Sequence, residues 1–447
     1  MKARLLIFFI LFIVVAILIG KFWVGATHSF APLYFYGISV TAVLLITYAV
    51  VLFKYKDPCL EARKKTKTNE KKYLVSCMVA VRNEEDIIEL CIGSFLNQTY
   101  INKEIIFVND ASTDGTKIIL DNYANKGLIS VIHLEENVGK KKALAWAMLL
   151  ARGDIFAFSD SDSVIAPDAI ARIVDIFDAE PLVGSVSGHC RALNSDDNFL
   201  TKVQDSWYET QYSTRKAFES VFGVVSCISG PLAVFRREAV YNLIPAWEND
   251  TFLGQEFRFA TDRTLTALVL GNKAVGGKLK KKYADSPFVN AIDYPLRDWK
   301  TLYCKSARAW TVVPNTFGKL IQQQIRWKKS FIRNAFFNAP FYWRKPFLPA
   351  LFFYLHILFV VAGPLVAFRH LIYLPIHGNF LSPFLYIGGI CLVGFTFGLA
   401  FSRESREPHE PYRWIYRPAM SLLSTLILSW LVFYSAVTIK KMTWYRG

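Results

Sequence analysis

The chain has 447 residues, 53% of them hydrophobic and 36 of them Phe, which is too apolar for a soluble protein of this length. Part of it must sit in lipid, and the remainder leaves room for one soluble domain of about 250 residues. The formal net charge of +16 comes from Lys and Arg crowded beside apolar runs, which points to membrane topology and anionic lipid; no segment has the pattern of a nucleic-acid module.

Leu5 to Gly20 follows Lys2 and Arg4 as an unbroken apolar stretch, short enough for a signal peptide, but a second run from Ala31 to Phe53 argues for a retained hairpin. The second run can cross about 30 Å of hydrocarbon. Lys54, Lys56, Arg63, Lys64, Lys65, Lys67, Lys71 and Lys72 follow it, so the hairpin's ends and the next domain are expected on the cytoplasmic side of a cell membrane that the chain crosses several times. The expected division is a transmembrane hairpin over 1–56, a basic linker over 57–72, a cytosolic α/β domain over 73–330, and interfacial and transmembrane helices over 331–447.

From Tyr73 short β-rich runs alternate with helical ones: YLVSCMVA, DIIELCIGSFLN, EIIFVND, KIILDNYANKG, ISVIHL, KKALAWAMLLARG and IFAFSD. This order predicts parallel strands covered by helices, with loops at the strands' C-terminal ends open to ligand. Gly127 and Gly153 stand where residues just past helix ends would. Beyond Ser330, Phe347–Phe368, Leu381–Phe401 and Met420–Ile439 are candidate spans, and FIRNAFFNAPFYWRKP before them reads as an amphipathic interfacial helix. If all three cross, the cationic KKMTWYRG tail lies outside the cell; otherwise one of them is interfacial. The seven Cys are odd in number and scattered without CxxC pairs, which argues against a disulfide framework or a zinc site and fits a reducing cytosol.

Polar clusters end three of the predicted strands. Asp160-Ser161-Asp162-Ser163 hangs from IFAF, and two carboxylates at i and i+2 suit a divalent cation, Mn²⁺ or Mg²⁺, that also holds a diphosphate. Val79-Ala80-Val81-Arg82-Asn83-Glu84-Glu85 and Val108-Asn109-Asp110-Ala111-Ser112-Thr113-Asp114-Gly115-Thr116 open helices whose N–H groups can receive a nucleotide. Capping plus a turn accounts for Asn83, Asp114 and Gly115, but not for polar clusters after strands one, two and four together. Gly139 is followed by Lys140, Lys141 and Lys142 at a helix start, where cations oppose the helix dipole unless an anion such as diphosphate compensates.

The loops VAVRNEE, VNDASTDGT, NVGKKKAL and SDSDS together resemble a family 2 glycosyltransferase with a GT-A, Rossmann-like fold. Further on, Ser226-Cys227-Ile228-Ser229-Gly230-Pro231-Leu232, Thr261-Asp262-Arg263-Thr264-Leu265-Thr266 and SARAWTVVPNTFGKLIQQQIRWKKSFIR are similar to hyaluronan synthases and the related NodC-type chitin-oligosaccharide synthases. The resemblance spans about Tyr73 to Arg333.

The resemblance implies that Ala80, Asn83, Glu84 and Asp110 contact uridine, that Lys140 lies near the donor, and that Asp160 and Asp162 hold metal and diphosphate. Gln323 and Arg326 would face the diphosphate, and Trp327 would stack on the acceptor sugar. Asp262 aligns with the catalytic base. The element usually reads G-D-D-R, but here it is Ala260-Thr261-Asp262-Arg263, so the base is kept and the preceding acid is missing. Cys227, Ser229 and Gly230 would line the acceptor site. The W-G-T-R element appears only as Thr443-Trp444-Tyr445-Arg446-Gly447, which receives no catalytic role.

The first expectation is an inverting, processive polymerase that exports a β-linked polysaccharide through its own transmembrane channel. Its product would be hyaluronan from UDP-GlcNAc and UDP-GlcA, or a chitin-type chain from UDP-GlcNAc alone, with membrane lipid as surroundings and no obligatory protein partner. Arg191, Lys280, Lys281 and Lys282 are cations that could meet a glucuronate. A second reading is a transferase that adds one sugar to a lipid carrier, without a Trp platform. A third is a non-catalytic scaffold or transporter, against which Asp160, Asp162, Asp262 and Arg326 argue, as does the lack of an intramembrane acidic relay.

Overall fold

The computed structural model describes residues 31–65, 73–401 and 413–441. The stretch Leu5–Gly20 and the tail Thr443–Gly447 lie outside these residues. Ala31–Lys54 forms helix α1, followed by α2, Pro58–Lys65. The expected basic linker is thus partly a docked helix: Cys59 and Ala62 are buried, and Asp57 accepts from the Ser306 N–H at 2.7 Å.

The α/β domain begins with β1 Val75–Val81, α3 Ile88–Leu96, β2 Lys103–Asp110, α4 Thr116–Asn125, β3 Ser130–Leu134, α5 Lys140–Leu150 and β4 Ile155–Phe158. Every residue of β1 is buried, as a central strand covered on both faces requires. Val75, Cys77, Val79 and Val81 join one apolar cluster, and Met78 and Ala80 join the other, following the two-residue period of a strand. Ile88, Cys91, Ile92 and Phe95 give α3 one buried stripe at helical spacing.

After β5 Ser163–Ile165 come α6 Ala169–Ala179, β6 Val183–Ala192, α7 Phe199–Gln211, β7 Ala233–Arg236, α8 Thr261–Leu270 and β8 Lys300–Thr311. The eight strands order as β3-β2-β1-β4-β7-β6-β8-β5. The first four are parallel, as the alternating pattern predicts, whereas β7 runs antiparallel to both β4 and β6. The mixed half was not visible in the periodicity.

Gly127 takes φ +68° just past α4, and its N–H reaches the Ala124 carbonyl at 2.8 Å, as a helix stop requires. Gly153 has another reason. Helix α5 ends earlier, at Leu150, with Ala151 already extended, and a Cβ on Gly153 would sit 2.4 Å from Ser76 Oγ and 2.7 Å from Ser76 N, so β1 passes too close for a side chain.

Helix α9 runs unbroken from Phe317 to Tyr342, and the expected boundary at 330/331 falls inside it. It turns Arg333, Asn334, Asn338, Phe341 and Tyr342 to the protein interior and leaves Phe336 exposed. Helices α10 Phe347–Phe368 and α11 Leu381–Phe401 match the expected spans. Together with α1 they make three helices long and apolar enough to cross a membrane among the described residues. The last expected span is not one straight helix. It is divided into α12 Arg417–Leu426 and α13 Leu431–Val437, bent by 42° where Ile427 leaves helical geometry, which makes a broken span or a re-entrant loop.

Candidate active site

The loops after β1, β2 and β4 converge. Asn83 adopts φ +53°, a conformation that Asn tolerates better than most residues, and its N–H donates to Ser112 Oγ at 3.1 Å while its Oδ1 accepts from Thr113 N at 2.8 Å. The Glu84 N–H donates to Thr116 Oγ1 at 2.9 Å, and Ser161 Oγ donates to Glu84 Oε1 at 3.1 Å, which ties all three loops together. Asp110 accepts from Val138 N at 2.8 Å, Gly139 N at 3.0 Å and Asn137 Nδ2 at 3.1 Å. Burial raises its carboxyl pKa, opposed by those N–H groups, so Asp110 organises the entry to α5 as well as bordering the cavity.

The three lysines that open α5 each have an acid of the protein itself. Lys140 pairs with Asp160, Lys141 with buried Asp250 at 2.7 Å, and Lys142 with Glu256 at 2.8 Å. A diphosphate is therefore not needed to compensate them, contrary to the expectation from the helix dipole. Asp250 also pairs with Arg333 of α9 and accepts from Thr264 of α8 at 3.5 Å, so one carboxylate joins the helices carrying Lys140, Asp262 and Arg326.

Asp160 and Asp162 flank buried Ser161 at the end of β4. Asp162 Oδ1 accepts from Thr311 Oγ1 at 3.1 Å, and a Cβ on Gly230 would stand 2.7 Å from Asp160 Oδ2. Among the described residues no third His, Cys, Asp or Glu joins them. Two hard carboxylates that leave room for phosphate oxygens and water fit a divalent cation held jointly with a diphosphate.

Across the cavity, Ala260 takes φ +62° and turns the chain into α8, which sets Asp262 in its first turn. The Asp262 carboxylate accepts from its neighbour's N–H, Arg263 N, at 2.8 Å and from Cys227 Sγ at 3.5 Å. Ser229 Oγ accepts from Lys216 Nζ at 2.6 Å. Trp327 rests on Trp207, with ring centroids 5.7 Å apart, and on Tyr208 at 6.4 Å. Gln323 lines the cavity, with its Oε1 buried and without a partner among the described residues.

One cavity of about 1630 Å³ joins these parts. It is bordered by Ala80, Asn83, Glu84, Asp110, Lys140, Asp160 and Asp162, by Cys227, Ser229, Gly230 and Asp262, and by Gln323, Arg326 and Trp327. It continues to Phe353, His356, Phe359 and Val360 of α10. The sequence-predicted residues therefore all meet in one place. Arg191 and Lys280 do not join them: Arg191 Nε donates to Asp205 at 2.8 Å, Lys280 donates to the Tyr294 carbonyl at 2.6 Å, and Lys281 and Lys282 also lie off the cavity wall.

Residues 76–244 match the family model described as glycosyl transferase family 2. The N-acetylglucosaminyltransferase of Rhizobium meliloti (strain 1021) is 32% identical over 310 residues, 68% of this chain and 67% of that one. The chain belongs to glycosyltransferase family 2. This family 2 transferase is also 27% identical over 428 residues to a hyaluronan synthase of Streptococcus pyogenes serotype M3, covering 92% of each chain. The fold of the mannosyltransferase PcManGT from Pyrobaculum calidifontis, solved with GDP-Man and Mn²⁺, superposes with a TM-score of 0.51 at 20% identity, over 89% of this chain and 97% of that one.

The transferase's cavity also contains residues that no motif disclosed. Trp207, Tyr208, Gln211, Tyr212, Arg215 and Lys216 line it from α7 and the π-helical turn Tyr212–Lys216 that extends it. Their spacing of i, i+1, i+4, i+5, i+8 and i+9 marks a single helical face, and that periodicity was the available signal. Burial pushes the Lys216 ammonium down to about 8.

Proposed function

We propose that this enzyme is an inverting, processive synthase that builds a β-linked polysaccharide from UDP-sugars on the cytoplasmic side and passes it out between its own membrane helices. The observation that carries the reading is the single cavity from the strand-end loops, past Asp262 and Trp327, to α10. A transferase that adds one sugar to a lipid carrier has no need of an aromatic acceptor platform continuous with membrane-helix residues.

In this reading Ala80, Asn83, Glu84 and Asp110 border the uridine, and Gln323, Arg326 and Lys140 face the diphosphate. Asp160 and Asp162 would hold Mn²⁺ or Mg²⁺, which when bound neutralises charge on the departing UDP. The Trp327 indole, backed by Trp207 and Tyr208, offers a face to the terminal acceptor sugar beside Cys227, Ser229 and Gly230. Asp262 takes the proton from the acceptor hydroxyl as that oxygen bonds to the anomeric carbon and the bond from that carbon to the UDP oxygen breaks, which inverts the centre.

The product proposed is hyaluronan, from UDP-GlcNAc and UDP-GlcA, supported by similarity to a hyaluronan synthase over 92% of both chains. A chitin-type product is the second reading, favoured by the 32% identity to an N-acetylglucosaminyltransferase. The deciding experiment measures UDP release by detergent-purified enzyme with Mn²⁺ or Mg²⁺, supplied with UDP-GlcNAc, UDP-GlcA or both. Sustained release only with both donors supports the copolymer, and sustained release with UDP-GlcNAc alone supports the chitin-type chain.

A further inference from the structure

Two lysines on the cavity wall have no carboxylate within ion-pair distance among the described residues. Lys216 Nζ donates to Ser229 Oγ at 2.6 Å and Ser187 Oγ at 2.8 Å, and lies 4.1 Å from the Tyr212 ring centroid. Lys328, next to Trp327 on α9, has neither a hydrogen-bond nor an ion-pair partner among those residues, and the charge that acts on it is that of Arg263, of the same sign. Beside it, Arg215 shares a 3.0 Å hydrogen bond with His356 of α10, and Phe331, one turn beyond Lys328, packs its ring against the same imidazole at 5.4 Å.

An ammonium withdrawn from water without an anion is costly, and the protein solves this problem elsewhere with acids, as Lys141 and Lys140 show. Burial pushes both Lys216 and Lys328 down to about 8; the charges of Asp262 and Glu219 partly oppose the fall at Lys216, whereas the charge acting on Lys328, that of Arg263, deepens it. Such a pair in a ligand cavity is explained when the ligand brings the negative charge.

The two lysines stand on the acceptor side. Lys216 holds the hydroxyl of Ser229, beside Gly230 and across from Asp262, while Lys328 follows the Trp327 platform in the direction of α10. The charge they meet is therefore that of the chain being lengthened. A β-linked polysaccharide carries fixed negative charge on its rings when some of them are uronates.

We propose that Lys216 and Lys328 form a carboxylate-reading site for uronate rings of the acceptor chain, and that this site is what makes the enzyme select an acidic polymer over a neutral one. The proposal rests on the polysaccharide synthase reading and deepens it by naming the charge of the product. A uronate meeting Lys216 or Lys328 exchanges its hydration for a charge-assisted hydrogen bond to an ammonium already desolvated, so an acidic acceptor gains where a neutral one cannot.

The test compares binding of a hyaluronan tetrasaccharide and of chitotetraose to the purified full-length enzyme, with UDP affinity and donor dependence measured in parallel for wild type, Lys216→Met, Lys328→Met and Lys328→Arg. Wild type is expected to prefer the acidic tetrasaccharide by about tenfold or more, the factor that one charge-assisted hydrogen bond supplies. Each Met variant should lose most of that preference while UDP affinity stays, and Lys328→Arg should retain it. An unchanged preference in both Met variants, with wild type still requiring both donors, overturns the lysine site alone. A parallel fall in UDP affinity also overturns it, because the anion served would then be the diphosphate. Wild type that polymerises UDP-GlcNAc alone and prefers chitotetraose overturns the hyaluronan reading itself.

Discussion

The thiol of Cys227 donates to Asp262 Oδ2 at 3.5 Å, while the carboxylate's other oxygen accepts the Arg263 N–H at 2.8 Å. Asp262 is thus oriented by one side chain and one backbone group, at the start of a helix where its negative charge is favoured. The position before it, where the resemblance leads one to expect a second acid, is Thr261, whose carbonyl accepts from Trp247 Nε1 at 2.7 Å. The proposed base is held in place without a neighbouring carboxylate.

Replacing Asp262 by Asn keeps the shape and removes the proposed proton acceptor. UDP release should fall by about 10²–10⁴-fold, the usual worth of a positioned general base, with UDP binding little changed. Titration calorimetry with UDP, alongside the turnover assay, separates the two effects, and wild-type turnover in Asp262→Asn would remove the residue from its role.

Trp327 meets Trp207 at 5.7 Å with planes tilted by 35°, so one part of the indole is held by protein and another opens on the cavity. Trp327→Ala should shorten the product and raise the concentration of acceptor oligosaccharide needed for elongation by about tenfold, an amount consistent with the loss of an aromatic contact of order 1 kcal/mol. Size analysis of the polymer checks this, and an unchanged length distribution and rate would count against stacking.

Much of the donor half was legible because strand ends advertise themselves: the buried IFAF strand followed by Asp160 and Asp162, or β1 followed by Asn83 and Glu84, places each polar cluster without tertiary knowledge. Trp327 and Asp262 were legible only through resemblance. What stayed hidden depends on partners distant in sequence. The charges of Lys140, Lys141 and Lys142 are answered by Asp160, Asp250 and Glu256, which no local rule connects to them. Gly153 looked like a helix stop because its actual constraint, the backbone of Ser76, lies in another strand. The inner face of helix α9 stayed hidden as well, because its buried Arg333 finds Asp250 in a loop about 80 residues earlier, a distance over which sequence periodicity carries no information.

Gly230 offers a sharp test of the metal and diphosphate position. A methyl group there would stand 2.7 Å from Asp160 Oδ2 and 2.8 Å from Oδ1, so the carboxylate must move. Gly230→Ala should therefore weaken Mn²⁺-dependent UDP binding while leaving the fold intact, because the substitution faces a side-chain tip and Gly230 does not need positive φ. Titrating Mn²⁺ against UDP affinity reads the effect; an unaltered Mn²⁺ dependence would argue that Asp160 is not a ligand.

Lys328 gives a pH signature. Burial lowers its ammonium from 10.5 to about 8, so between those values the folded chain binds fewer protons than the unfolded one. Stability must then rise with pH across that window, whereas below about 8 both states are protonated and the cost of the buried charge is fully felt. Thermal unfolding of the ligand-free protein should show Lys328→Met more stable than wild type at pH 7, with the difference shrinking towards pH 10. A difference independent of pH would mean the ammonium is not desolvated.

Asp250 is the acid on which Lys141 and Arg333 both depend, with all three side chains buried. Asp250→Asn leaves two cations in the interior without their counter-charge, and removing one partner of a buried ion pair costs about 3–5 kcal/mol. The substitution should lower the unfolding temperature and, because Asp250 joins the helices carrying Lys140, Asp262 and Arg326, reduce turnover more than a surface change of equal stability would. Adding Arg333→Met to Asp250→Asn removes one of the stranded charges. The double variant should therefore unfold at a higher temperature than the single one, and a double variant less stable than Asp250→Asn would show that the contact of the Arg333 guanidinium with the Phe337 ring outweighs the cost of its stranded charge.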